Sequence, residues 1–236
     1  MAVVIGYDGS DFAMQALDWA MDEAELRGLP LLVAHAWQWP YGEATEESKR
    51  HLRQAAEHVL WHGADCARKV SSIVEVTTDI HEGDPAERLV ELSADAEVVV
   101  VGSRGLGRLP KALLGSVAAG LTSRARCPVV VVRGPGPLPA IAHPGPVVVS
   151  GRDLGPAVQA FALGEARIRQ WPLHVLYAHS VPPLDDAGEV EVTGSAGGDL
   201  PEDSSLFVLG RRGEGHLSSE ARHALGHAAC PVAIVP

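Results

Sequence analysis

The chain has 236 residues, a formal net charge of −11 and 46% hydrophobic residues, enough for one large or two small domains with real cores. Its acidic balance offers no concentrated basic face and argues against nucleic acid as a partner, and no stretch reaches the roughly 18 apolar residues of a membrane span. The start Met1-Ala-Val-Val-Ile-Gly-Tyr-Asp8 lacks the basic opening of a secretory signal, and Cys66, Cys127 and Cys230 are too few and scattered for a disulfide framework or a Cys-only zinc site, so the expected compartment is the cytoplasm.

In chain order, residues 2–7 form an apolar run ending in Asp8-Gly9-Ser10, and Ala13, Ala16, Leu17, Ala20, Met21 and Ala24 then recur at helical spacing. Gly28 closes that helix, and Pro30 restarts the chain as a second strand, 31–37. Trp37, Trp39 and Tyr41 form an aromatic loop that suits stacking on a base or sealing a sheet edge. A long polar helix follows from about Thr45 to Lys69, with Leu52, Ala55, Ala56, Val59 and Leu60 on one face, and 72–80 alternates like a strand. Asp84, Pro85 and Glu87 have the N-cap, first-position proline and capping-box pattern of a helix running to about Ala94.

The four-valine run ending at Gly102 reads as a strand buried on both faces of a parallel sheet. Gly102 and Gly105 then allow backbone N–H groups to approach an anion, and Gly115-Ser116 opens a helix to about Arg126 with Ser116 as its expected N-cap. Arg104, Arg108 and Lys111 add cations between them. The spacing is not that of a P-loop, because Gly107 is followed by Arg108-Leu109. A dinucleotide fingerprint fails as well, since Gly105-x-Gly107-x-x-Pro110 follows a late strand. A strand-to-helix connection without a ligand has the same glycines. Residues 127–132 make the fifth strand, and five strands alternating with four helices predict a doubly wound α/β sheet whose ligands bind beyond the strands' carboxyl ends.

Gly102-x-x-Gly105, nine residues and then Gly115-Ser116 resembles the nucleotide-binding signature of the universal stress protein family. The resemblance implies a Rossmann-like, adenine nucleotide α-hydrolase-like fold with strand order 3-2-1-4-5. It also implies ATP as ligand, Mg2+ carried on the phosphates, and a regulatory stress-response role rather than catalysis. Asp8 would face the ribose or adenine side, and His35 and Ala36 would line the base pocket. Gly102, Gly105, Gly115, Ser116 and Val117 would hold the phosphates. The expected cofactor-binding set is Gly6, Asp8, Ala36, Gly102, Arg104, Gly105, Gly115, Ser116 and Val117, with no catalytic or metal-ligating residue. The alternatives are an adenine-nucleotide hydrolase or AMP-transferring enzyme, whose serine- and glycine-rich loop is faintly similar to Ser150-Gly-Arg-Asp153, and a scaffold with no nucleotide. The pairs His58/His62 and His223/His227 read as helix-surface histidines rather than metal ligands.

A Pro/Gly-rich linker, 134–146, separates a first domain, 1–133, from a second, 147–236. The second repeats the first: Glu23-Ala-Glu-Leu-Arg-Gly-Leu-Pro30 matches Glu165-Ala-Arg-Ile-Arg-Gln-Trp-Pro172, and Arg126-Cys-Pro-Val matches Ala229-Cys-Pro-Val232. Asp8 aligns near Arg152 or, with a slip, Asp153. Gly213 lies five positions before Ser218 where Gly105 lies ten before Gly115, so the copy's loop is too short to wrap a triphosphate in the same way. The copy is also shortened in the middle, losing one long helix and most of another. There 193–205 reads as loop, and 189–193 as a surviving strand. A sheet face stripped of helices needs cover, so the second domain is expected to pack on the first as a pseudo-dimer or to support a homodimer. The protein partner of such a regulator is not named by the sequence.

Overall fold

The computed structural model describes residues 1–39, 45–72, 74–106, 114–133, 145–152, 154–177, 184, 187–196, 200–213 and 215–236. The linker residues 134–144 therefore lie outside the description, as do Tyr41, Arg108, Lys111 and Asp153. Among the described residues no helix is long and apolar enough to cross a membrane.

In the first half β1 (Val3–Gly6), α1 (Asp11–Arg27), β2 (Leu31–Trp37), α2 (Glu46–Val70), β3 (Val76–Glu82), α3 (Pro85–Leu92), β4 (Val98–Gly102), α4 (Ser116–Arg124) and β5 (Val129–Val132) alternate as the periodicity predicts. The caps follow from local chemistry. The Thr45 side chain accepts the Ser48 N–H, and Asp84 Oδ1 accepts from Ala86 and Glu87 at 2.8 and 3.0 Å. Glu87 does not complete a capping box, because its carboxylate is drawn to Arg124 of the neighbouring α4.

The second half contributes β6 (Val147–Ser150), α5 (Pro156–Arg169), β7 (Leu173–Tyr177), β8 (Val192–Ala196), β9 (Leu206–Gly210), α6 (Ser219–His227) and β10 (Val232–Val235). All ten strands join one sheet in the order β3-β2-β1-β4-β5-β10-β9-β6-β7-β8. The order 3-2-1-4-5 thus occurs twice, back to back, and among the described strands the only antiparallel pairing is at the join, where Val131 faces Val232 and Val129 faces Ile234. The strand expected at 189–193 runs instead over Val192–Ala196. Its Gly and Ser residues disguise it, and parallel pairing with β7 and the His174 bonds to Thr193 and Ser195 hold it at the sheet edge. No described residue between β7 and β9 is helical. Leu184, Ala187 and Val190 cover one face of this region and Leu200 packs on the other.

The join is also charged. Arg27 pairs with Glu23, Glu97 and Glu165, while Arg169 pairs with Glu165 and Glu23. Glu23 and Glu165 are fully buried, and they are each other's equivalents in the repeat, as are Arg27 and Arg169. Arg169 also lies over the rings of Trp19 and Trp171, 5.1 and 5.6 Å from their centroids. Three carboxylates thus meet two guanidiniums, and burial followed by the neighbouring Glu23 carboxylate pushes the Glu165 carboxyl up to about 8.

Two predictions come from these features. Gly28 ends α1 at φ 64°, whereas Gln170 ends α5 at φ 56°, a region disfavoured by roughly 1–2 kcal/mol for a residue with a Cβ. Urea denaturation should show Gly28→Ala lowering stability by about 1 kcal/mol and Gln170→Gly raising it. Folded Glu165 holds its proton more tightly than an unfolded glutamate does, so its contribution is complete below pH 4.5 and is lost as pH rises through about 8. Stability measured from pH 5 to 8 should decline for this reason, Glu165→Gln should flatten the decline, and Arg169→Met, which leaves Arg27 alone against two buried carboxyl groups, should cost about 3–5 kcal/mol.

Candidate functional site

Because β1 lies between β2 and β4, the chain leaves two neighbouring parallel strands at the same sheet edge, where the strand order reverses. After β1 the turn Asp8-Gly9-Ser10 carries Gly9 at φ 79°, a conformation that suits a residue without a Cβ. Asp8 Oδ1 accepts the Ser10 N–H at 3.0 Å and the Ser10 hydroxyl at 2.6 Å. Ser10 Oγ in turn caps α1 by accepting from Ala13 N. These bonds fix the carboxylate and leave Oδ2 beside Gly105, where a Cβ would collide with it.

The other glycines are equally placed by contact. A Cβ on Gly102 would sit 2.8 Å from the carbonyl oxygen of Phe12, and one on Gly6 would sit 2.8 Å from Leu89 Cδ1. Gly115 has space for a Cβ at ordinary van der Waals distance. It donates its N–H to Ser103 O at 2.9 Å and, with φ −63° and ψ 151°, is itself the N-cap of α4. Ser116 is therefore the first helical residue and not the cap, a correction to the sequence reading. Extended backbone is required at the cap and Gly115 adopts it, so no side chain caps α4, and its first amides face the crevice with the positive end of the helix dipole.

These elements enclose a cavity of about 300 Å³ whose lining includes Gly6, Asp8, Ala36, Gly102, Arg104, Gly105, Gly115, Ser116 and Val117. His35 and Ala34 of β2 form one wall, and Pro85, Arg88 and Leu89 of α3 form another. A carbonyl only accepts, so His35 Nδ1 donates to Tyr7 O at 2.7 Å, and this fixes the ring's tautomer and plane. The Arg104 guanidinium lies 4.1 Å over the Phe12 ring. Arg133 nearby is held below the usual arginine range by burial and then by Arg104, so positive charge is concentrated on this side. Behind Asp8, burial, then Cys66 and Asp8, push the Tyr7 phenol up to about 12. It stays neutral and packs through Met14 Sδ and His62 Nδ1, each 2.9 Å from its hydroxyl.

Arg88 was not singled out by sequence, since its neighbourhood reads as helix-capping chemistry. Its guanidinium binds Asp79 through two nitrogens at 3.0 and 2.7 Å and Glu91 at 2.9 Å, which stiffens the wall it presents. Trp37 and Trp39 are absent from the described lining, so neither stacks over this cavity. His58 stacks on Trp61, and His223 stacks on His227 at 4.5 Å. No group of three metal-ligating side chains occurs among the described residues. Cys127 and Cys230 are buried thiols pushed up by burial to about 12 and about 11, and they pack as small apolar residues.

Comparison with known proteins bears on this geometry. The profile of the universal stress protein family matches residues 1–133. A universal stress protein of Mycobacterium tuberculosis H37Rv is 35% identical over 176 residues, covering 74% of this chain and 64%, less than two thirds, of the relative's length. A second from the same strain is 30% identical over 223 residues, covering 89% of this chain and 72% of that one. The crystal structure of a universal stress protein from Archaeoglobus fulgidus DSM 4304 superposes with a TM-score of 0.78 at 18% identity, over 99% of this chain and 95% of that one. That likeness bears on the fold alone.

The glycine contacts separate folding from site shape. Gly102→Ala pushes on backbone and should lower the thermal midpoint, whereas Gly105→Ala displaces only the Asp8 carboxylate and Gly115→Ala makes contacts at ordinary van der Waals distance. Thermal denaturation of the three variants should rank Gly102→Ala well below the other two.

Proposed function

This chain belongs to the universal stress protein family, and we propose that it is an adenine-nucleotide-binding regulatory protein with one nucleotide site, in its first half, that takes ATP. The observation that carries the reading is the placement of a fixed carboxylate, Asp8, across a single cavity from the uncapped start of α4, with Cβ-free Gly102 and Gly105 between them. A sugar hydroxyl donates to a carboxylate, and phosphates accept from helix-start amides, so the two ends of a nucleotide have separate partners here. In this reading Ala36 and His35 face the base. Gly102, Gly105, Gly115, Ser116 and Val117 offer amides to the phosphates, with Arg104 adding charge. Gly6 keeps the floor low under Leu89. Mg2+, when present, is carried by phosphate oxygens and water, which suits a lining whose carboxylate is already bonded to Ser10.

The same reading has the second half as a degenerate domain, joined through residues 134–146, that pairs with the first as an intramolecular pseudo-dimer in the cytoplasm. Occupancy then acts by favouring whichever packing binds nucleotide better.

Denaturing the purified full chain and identifying released nucleotide tests the reading, together with thermal shift in ATP. Adenine nucleotide should be found, and ATP at about 100 times its dissociation constant should stabilise the chain by roughly 2.7 kcal/mol. Gly105→Ala should keep the ligand-free midpoint and lose most of the shift. Absence of both released nucleotide and ATP shift overturns the proposal.

A further inference from the structure

The second half has its own cavity, of about 600 Å³, at the carboxyl ends of β6 and β9 and the start of α5. Strand ends fix its correspondence with the first. Arg152 lies two residues after β6 as Asp8 lies two after β1, while Arg211 and Arg212 follow β9 as Ser103 and Arg104 follow β4. The repeat has thus exchanged a carboxylate and a serine for two guanidiniums and kept the third. All three arginines line the cavity, and no acidic residue is among its described lining.

Several donors there lack a protein partner suited to them. Gly155 is the N-cap of α5 with no capping side chain, and Pro156 follows it. The helix start therefore offers amides to the cavity from Ala157 and Val158 onward. Arg211 spends Nη1 on Ala125 O at 2.8 Å, while its Nε is buried without a hydrogen-bond partner.

What the cavity lacks is equally specific. No residue of β7 lines it, where β2 supplies Ala34, His35 and Ala36 to the first cavity, and no helix corresponding to α3 stands among the described residues to supply a second wall. Among the described residues there is no wall for a base and no carboxylate for a ribose. We infer that this cavity binds a compact phosphoanion, of the pyrophosphate or tripolyphosphate type, through Arg152, Arg212 and the start of α5, without reading a nucleoside. Planar guanidiniums pair with phosphoryl oxygens two at a time. This inference is independent of the nucleotide reading of the first cavity.

Isothermal titration of tripolyphosphate into the full-length Gly105→Ala chain, whose first cavity is impaired for phosphate, in about 0.15 M salt where surface charge is screened, tests it. One equivalent should bind, and Arg152→Ser should weaken binding by about tenfold or more. Arg152 is exposed, so the ligand-free midpoint should not change, and the double variant Arg152→Ser/Arg212→Ser should abolish binding. Citrate tests the phosphoryl class and should bind at least tenfold more weakly. The inference is overturned if the Gly105→Ala chain fails to bind, if the arginine variants made in it bind as it does, if excess AMP displaces the anion, or if citrate binds equally well. If the chain proves not to bind ATP at all, arginine-dependent binding of tripolyphosphate still stands as its own result.

Discussion

Glu23 and Glu165 are removed from water at the join between the two halves, and each is tied to the arginine of its own helix and to the arginine of the other. Burying carboxylates costs several kcal/mol apiece, and only close guanidiniums offset that cost. The arrangement therefore tolerates one relative placement of α1 and α5. The edge pairing of β5 with β10 has the same effect on the sheet, closing two edges that would otherwise stand open. Because Glu23 and Glu165, and Arg27 and Arg169, are repeat equivalents, one interaction is used twice about an approximate two-fold axis.

Cation caps extend this exchange. Arg133, the residue after β5, donates to the carbonyls of Leu225, Gly226 and Ala228 at the end of α6, and Arg211, the residue after β9, donates to Ala125 O at the end of α4. Each half thus satisfies carbonyls left over at a helix end of the other. The helices so fixed are those that border the two cavities or follow the strands leading to them. The positions of Arg133 and Arg211 are set by the join as well as by their own loops.

Much of this was legible in the sequence because it is local. β-branched runs specify buried parallel strands, and Thr45, Asp84 and Gly28 mark helix ends by side-chain chemistry that needs no tertiary partner. The residues picked out by the glycine spacing from Gly102 to Gly115 line one cavity because strand, loop and helix are contiguous there. The misses are tertiary. Ser116 yielded the cap to Gly115 because backbone dihedrals, not side-chain preference, decide which residue is half inside the helix. Glu87 left its capping box for Arg124 across the α3–α4 packing. β8 was disguised by Gly194 and Ser195, whose strand conformation is dictated by β7. The repeat of Glu23-to-Arg27 as Glu165-to-Arg169 was visible as a match, but the crossed pairing depends on α1 meeting α5, which no local pattern encodes.

The join also accounts for the survival of a second half without helices between β7 and β9 among its described residues. A lone five-stranded sheet stripped on both faces would expose apolar area with no cover. Here β10 is paired, α5 packs in the same core as α1, and Leu184, Ala187, Val190 and Leu200 cover what remains. The wall that β2 and α3 give the first cavity is therefore dispensable to folding in the second half. If the first cavity takes a nucleotide as proposed, then without that wall a carboxylate at the position of Arg152 has no ribose hydroxyl to meet, and a basic residue there is compatible with an anion at the helix start. On the proposed readings of the two cavities, loss of the wall and reversal of charge are two consequences of the same shift, from a cavity that holds two chemically different ends of a ligand to one shaped around a single end.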